Sequence, residues 1–254
     1  MWLKVMCLSL KLLFLLLPFA HFCKAVETVD IGVFYTTAAL KHNSKGELHA
    51  LMVRRLAVAN EALRASGIDL QRRIAFFEPS PLWHDKHASM RRYLYQLRRS
   101  SAIDAVIDRF GVDYVTVLSA VQRRGLCGYS QVGGVVSVIR VSVRCNRGYK
   151  DYLFAHEWGH NDGASHEDGE SVEKPYGVGY VCGDMGTIMS SKSGKRHTFY
   201  SSPNIKINGE ACGLQGKADV ARFIKERMKQ PGAVHNTHPK MVEIGIVNLV
   251  ADHT

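Results

Sequence analysis

Beyond residue 25 the chain has no second long apolar run, no internal repeat, no low-complexity tract and no proline- or serine-rich linker. The first absence argues against a multispan membrane protein, since a spanning helix needs about 20 consecutive apolar residues. The others argue against a disordered tail or a string of linked domains, so one domain is the simplest expectation. Acid is also scarce: 23 Asp and Glu stand against 33 Lys and Arg, a formal charge of +10 over 254 residues. Hydrophobic residues at 46% and charged residues at 22% are otherwise ordinary for a globular protein. What needs explaining is six cysteines, twelve histidines and the basic balance.

The N-terminus accounts for part of this. Lys4 and Lys11 precede a short apolar core at residues 12–20 (LLFLLLPFA), which is too short to span a bilayer, and a small residue follows at Ala25. This pattern predicts a secretory signal peptide over residues 1–25, with the mature protein exported and free of the membrane after cleavage. Cleavage removes three lysines, no acid and two cysteines, so the net charge falls to +7. The four that remain, Cys127, Cys145, Cys182 and Cys212, suggest two disulfides in an exported protein, with three possible pairings.

Periodicity predicts alternating strands and helices. Residues 29–36 (VDIGVFYT), 70–77, 113–118 and 135–143 (VVSVIRVSV) are strand-like. Residues 49–66 place Met52, Leu56, Ala59 and Leu63 on one helical face and stop at Gly67. Residues 86–99 and 102–110 are helical, with Ser101 a candidate cap. The alternation implies an α/β layered domain. Residues 236–254 show no pattern beyond an apolar run at 242–250, and His235, His238 and His253 lack partners or spacing for a metal.

Chemistry is concentrated at residues 152–168 (YLFAHEWGHNDGASHED). HEWGHNDGASH meets all five fixed positions of H-E-x-x-H-x-x-G-x-x-H, which makes the match strong. His156 and His160 are four apart and so share one helical face, where they can bind one zinc ion. Glu157 is placed to reach a water on that metal. Gly163 suits a helix stop through a left-handed turn, which brings His166 back as a third ligand. Three protein nitrogens leave a fourth position for water, the arrangement of a catalytic site.

This segment resembles the metzincin clan of zinc endopeptidases. GTIMS at residues 186–190 looks like the clan's Met-turn, in which Met189 forms an apolar floor beneath the metal. The stretch FYSSPNI at 199–205, followed by Cys212, is similar to reprolysin-like enzymes, including the bacterial peptidyl-Asp metalloendopeptidase group. The third histidine is followed by Glu167, as in astacins, where reprolysins usually carry Asp; Tyr200 is a residue able to swing toward the metal. The resemblance implies a zincin-like α/β fold: a twisted, mostly parallel sheet with an antiparallel edge strand, an active-site helix and a smaller C-terminal subdomain after the third histidine. The upper part would be about 26–163, the lower part about 164–235 and the tail 236–254. It also implies substrate lying beside an edge strand. Residues 128–136, with Gly133, Gly134 and Val135, are the candidate for that strand or equally for an ordinary glycine turn. The resemblance suggests a Cys182–Cys212 bridge, leaving Cys127 and Cys145 to bracket the candidate edge strand, with other pairings open.

The implied function is a secreted zinc-dependent endopeptidase with one catalytic zinc ion and Glu157 as general base, acting on a protein or peptide. Residues 190–200 would line the pocket for the side chain after the cut, where Lys192, Lys195, Arg196 and His197 hint at acidic substrates. The competing reading is a basic exported protein that binds an anionic polymer, with zinc only structural. It rests on the pairs Arg54-Arg55, Arg72-Arg73, Arg91-Arg92, Arg98-Arg99 and Arg123-Arg124. These are spread over different elements without interleaved aromatics, so nucleic acid is not the expected partner.

Overall fold

A computed structural model describes residues 26–80, 89–120, 126–146, 151–169 and 174–230. The leader, the tail with its histidines and Arg123-Arg124 lie outside the described residues.

The chain runs β1 (Glu27–Tyr35), α1 (Thr37–Leu40), α2 (Lys45–Ala65), β2 (Leu70–Pro79), α3 (Met90–Arg98), α4 (Ser101–Phe110), β3 (Tyr114–Ser119), β4 (Gly128–Ser130), β5 (Val136–Arg140), α5 (Val143–Asn146), α6 (Leu153–Asn161), β6 (Val181–Cys182), β7 (Met185–Gly186), β8 (Ser202–Ile207), β9 (Glu210–Cys212) and α7 (Val220–Arg227). The first five strands form one sheet in the order β2-β1-β3-β5-β4. All neighbours are parallel except β4, which is antiparallel to β5. This is the mixed α/β architecture with a mostly parallel sheet.

Side chains alternate across the sheet and bury both its faces. Val29, Ile31 and Val33 of β1, with Tyr114 and Leu118 of β3 and Ile139 of β5, join a core that includes α2 and α6. The intervening Phe34, Val115, Val117, Val136 and Val138 pack with α3 and α4 on the other face. A parallel sheet covered on both sides reads as nearly continuous apolar strands, which is why these segments were legible.

The helix starts are set by local chemistry. Helix α2 begins four residues before the periodic face at residue 49 because Ser44 and Glu47 form a reciprocal capping box: Ser44 Oγ accepts from the Glu47 amide at 3.2 Å and Glu47 Oε2 from the Ser44 amide at 2.7 Å. Helix α4 is capped by Ser100, whose hydroxyl accepts from the Ala102 amide at 3.3 Å, one residue before the expected Ser101. Of the helix expected over 86–99, the described part is α3.

After α6 the chain forms two hairpins, β6–β7 and β8–β9, before α7. Cys182 of β6 is bonded to Cys212 of β9, tying the hairpins together, and Cys127 is bonded to Cys145. Closing loops of this size contributes about 3 kcal/mol each. No helix among the described residues is long and apolar enough to cross a membrane.

Candidate metal centre

Helix α6 carries the histidine motif, and Leu153, Phe154, Ala155 and Trp158 are buried around it. Its end is a Schellman motif: the Gly163 amide donates to the His160 carbonyl and the Ala164 amide to the Gly159 carbonyl, both at 2.9 Å, with Gly163 at φ +100°. The chain reverses there and Ser165 pairs with Val178, which returns His166 toward the helix.

The three imidazoles converge. His166 Nε2 lies 3.1 Å from His156 Nε2 and 3.2 Å from His160 Nε2. His156 Nδ1 meets the Ile188 carbonyl at 2.7 Å and His160 Nδ1 the Ala164 carbonyl at 2.9 Å. A carbonyl only accepts, so both Nδ1 atoms carry the proton and both Nε2 lone pairs point inward. Burial first, then the neighbouring His160, holds His156 well below the usual histidine range, and burial pushes His160 down to about 4. Inward lone pairs on uncharged rings repel one another and suit a cation between them. Nitrogens bound tetrahedrally at 2.0–2.1 Å would sit about 3.3 Å apart, so the cluster fits zinc. It is the one such histidine, cysteine or carboxylate group found among the described residues.

Glu157 is 4% exposed. Burial pushes its carboxyl up to about 8, opposed in part by the Ser130 hydroxyl, which is close but outside hydrogen-bonding geometry. Its Oε2 is shielded from solvent and has no protein partner. The carboxylate lies against β4: a Cβ on Gly128 would come 2.1 Å from Glu157 Oε1. The missing side chain of Gly128 thus makes room for the carboxylate, and nothing in its local sequence announced it.

The segment 186–190 packs against α6, with the Ile188 carbonyl bonded to His156. Met189 is fully buried, and a Cβ on Gly159 would come 2.4 Å from its sulfur, so the missing side chain of Gly159 lets Met189 reach the helix. Glu167 joins the loop of His166 to this segment, accepting from Ser190 Oγ at 2.8 Å and the Ser191 amide at 2.7 Å.

Gly133, Gly134 and Val135 are not a strand. The edge strand is β4, and these three lie in the turn leading to β5, with Gly133 at φ +71°. The turn docks on α6: the Gly133 amide donates to the His160 carbonyl at 2.7 Å and Asn161 Nδ2 to the Gly134 carbonyl at 2.7 Å. The Gly133 amide and Gly134 carbonyl are spent on the helix and so are unavailable to a sheet, whereas the Val135 carbonyl already accepts from the Val115 amide of β3 at 2.8 Å. Tyr200 is fully buried against α6, and its hydroxyl donates to the Ala155 carbonyl at 2.9 Å.

Behind the helix lies a buried ion pair that the motif did not reveal. Arg72 of β2 and Asp162, the C-cap of α6, have fully buried side chains and are bonded through Arg72 Nη2. The Tyr114 hydroxyl donates to Asp162 Oδ1 at 3.0 Å, and Arg72 Nη1 donates to the Tyr200 hydroxyl at 3.2 Å. The basic pairs thus divide: Arg55 is buried and bonded to Asp151, and Arg73 is paired with Asp30 at 2.6 Å. Arg55, Arg72 and Arg73 are therefore spent on acids, which disfavours the anionic-polymer reading. A cavity of about 980 Å³ between α3 and β4 is lined by Arg91, Arg92 and Arg98, but holds none of the histidines.

Comparison with known proteins agrees with this geometry. Two curated proteins named peptidyl-Asp metalloendopeptidase are similar to the chain. The one from Pseudomonas aeruginosa is 26% identical over 243 residues, covering 81% of this chain and 40% of that protein. The one from Stenotrophomonas maltophilia is 27% identical over 216 residues, covering 78% of this chain and 50% of that protein. The chain thus spans half or less of the curated relatives it matches. A solved structure described as a chaperone–substrate complex shares the fold at a TM-score of 0.67 and 18% identity, over 80% of this chain and 35% of that one. The family model for metallopeptidase family M12, reprolysin-like, matches residues 26–201, and the chain belongs to that family of metzincin-like zinc metallopeptidases.

Proposed function

We propose that the chain is a secreted zinc-dependent endopeptidase with a zincin-like catalytic unit. His156, His160 and His166 would hold one zinc ion, and Glu157 would be the catalytic residue. The observation that carries this is the convergence of three Nε2 atoms beside a buried carboxylate with an unpartnered oxygen. A purely structural site has no use for that carboxylate.

Bound at the histidines, zinc supplies Lewis-acid polarisation of the scissile carbonyl and brings the pKa of water toward 7. Glu157 Oε2 takes the proton of the attacking water and hands it to the departing amine. The Ile188 and Ala164 carbonyls hold the ligand rings in one tautomer throughout. Met189 acts as a floor and does not ligate. Substrate would lie along β4, adding itself to the open edge of the sheet. The reading includes removal of residues 1–25 and a single catalytic unit from residue 26, with upper and lower parts on either side of Gly163. Two disulfides suit an oxidising compartment. The basic residues after the Met-turn, together with the relatives' names, support substrates with acidic side chains.

The test is Glu157→Gln. Zinc content by mass spectrometry should be retained while hydrolysis of a peptide library is lost. Unchanged turnover overturns the assignment of Glu157, and turnover that persists after chelation overturns the metal.

A further inference from the structure

Four basic residues follow the Met-turn, and the structure separates them. Lys192 and Lys195 are exposed. His197 is committed: its ring stacks on Phe199 with centroids 4.9 Å apart, and Nε2 meets the Cys182 carbonyl at 3.1 Å. Arg196 is different. Its Nη2 donates to the Ser190 carbonyl at 2.8 Å, but its Nε and Nη1 are shielded from solvent and have no hydrogen-bond partner. A guanidinium with two shielded, unsatisfied donors is costly unless an acceptor arrives.

Its position is built. Arg196 bridges Gly186, and the next amide, of His197, donates to the Gly186 carbonyl at 2.9 Å. The guanidinium carbon lies 5.0 Å from the Tyr152 ring centroid, and that ring lies 6.1 Å from the His156 ring. A Cβ on Gly186 would come 3.2 Å from Arg196 Nη1, so a larger residue there would crowd the free donor. Arg196, Lys195, Tyr152 and Thr198 line a cavity of about 550 Å³, with Glu61 and Asp151. Those two acids are already engaged, Glu61 by Arg64 at 2.6 Å and Asp151 by Arg55. The cavity is therefore lined by a guanidinium that has no ion pair among the described residues, one aromatic ring away from His156.

We propose that Arg196 is a specificity-determining residue: it receives the carboxylate of an Asp or Glu side chain next to the scissile bond. A carboxylate supplies acceptor oxygens and the opposite charge, and arginine presents its donors in a fixed plane that lysine lacks. An amide of the same shape satisfies fewer donors and leaves the charge unpaired. The inference rests on the endopeptidase reading but stands apart from it in the test.

Zinc-loaded protein is assayed on peptide sets that differ only in Asp, Asn or Lys at either position flanking the cut, and kcat/KM ratios are compared within each preparation. Wild type should prefer Asp over Asn by about 100-fold at one flank. Arg196→Gln should bring that ratio to within about 3-fold, and Arg196→Lys to about 10-fold. Ratios within one preparation do not depend on the folded fraction, and the lysine variant serves where loss of the Ser190 contact inactivates the glutamine one. An Asp-to-Asn ratio near one in wild type, or an unchanged ratio in either active variant, overturns the role of Arg196 while leaving the peptidase intact. Failure of wild type to cleave any of the peptides overturns the endopeptidase reading itself.

Discussion

Replacing Asp162 by Asn tests how the metal-bearing helix is anchored. The substitution keeps the volume but removes the only anion bonded to Arg72 among the described residues, where both side chains are fully buried. Arg72 cannot turn to solvent, because its backbone is clamped by Asn60 at 2.8 and 2.9 Å and its guanidinium carbon lies 5.7 Å from the Trp158 ring. Breaking one side of a buried pair costs about 3–5 kcal/mol, since the remaining charge is left uncompensated. For a domain of this size each kcal/mol is worth about 2–4 °C, so the melting temperature of the zinc-loaded protein should fall by about 10 °C. Arg72→Met combined with Asp162→Leu removes both charges and should recover most of the loss. The assay is thermal and urea unfolding followed by circular dichroism, with zinc held constant. Asp162→Asn costing under about 1 kcal/mol, the range of an exposed pair, refutes the reasoning. So does a double variant no more stable than the single one.

Gly128→Ala should lower kcat/KM by about 100-fold with zinc retained, because the added Cβ would overlap Glu157 Oε1 and displace the base; near-normal turnover would show that the carboxylate works from elsewhere. In metal-free protein the folded Glu157 carboxyl titrates at about 8 against 4.5 for an unperturbed one. Its raised value means that its contribution is complete below pH 4.5 and is lost as pH rises toward 8. The stability gained by Glu157→Gln should therefore grow with pH by about 1.4 kcal/mol per unit across that window, and urea titrations showing a flat difference would contradict the burial. Chelation should abolish hydrolysis, and restoring zinc to 1,000 times its dissociation constant should add about 4 kcal/mol of stability. His166→Ala should lose the ion on dialysis, and full metal content by mass spectrometry would remove His166 from the ligand set.

The parts legible in the sequence are those governed by neighbours along the chain. Four-residue spacing puts His156 and His160 on one helical face, and Gly163 permits the left-handed turn after them. Nearly continuous apolar and β-branched runs marked the buried strands, although β4 at the edge is only three residues long and too short to show one. Residues 133–135 could be strand or turn by composition, and the hydrogen bonds of Gly133 and Gly134 to α6 decided for a turn. The same holds for the site's supports. The Ile188 carbonyl that orients His156 is 32 residues away, and the Arg72 partner of Asp162 is 90 away. Glycines 128 and 159 matter for what approaches them, a carboxylate and a methionine sulfur, and a glycine's sequence neighbours carry no record of that. Charge behaved likewise: the sequence marked four basic residues after the Met-turn as one group, and only the folded contacts distinguish Arg196, by two shielded donors without a partner. The sequence by itself determined the helix, the spacing of its histidines and the strand alternation, because backbone geometry repeats over a few residues. Packing decided tautomer, carboxylate burial and the placement of the free guanidinium, because these depend on contacts between segments that only the folded chain brings together.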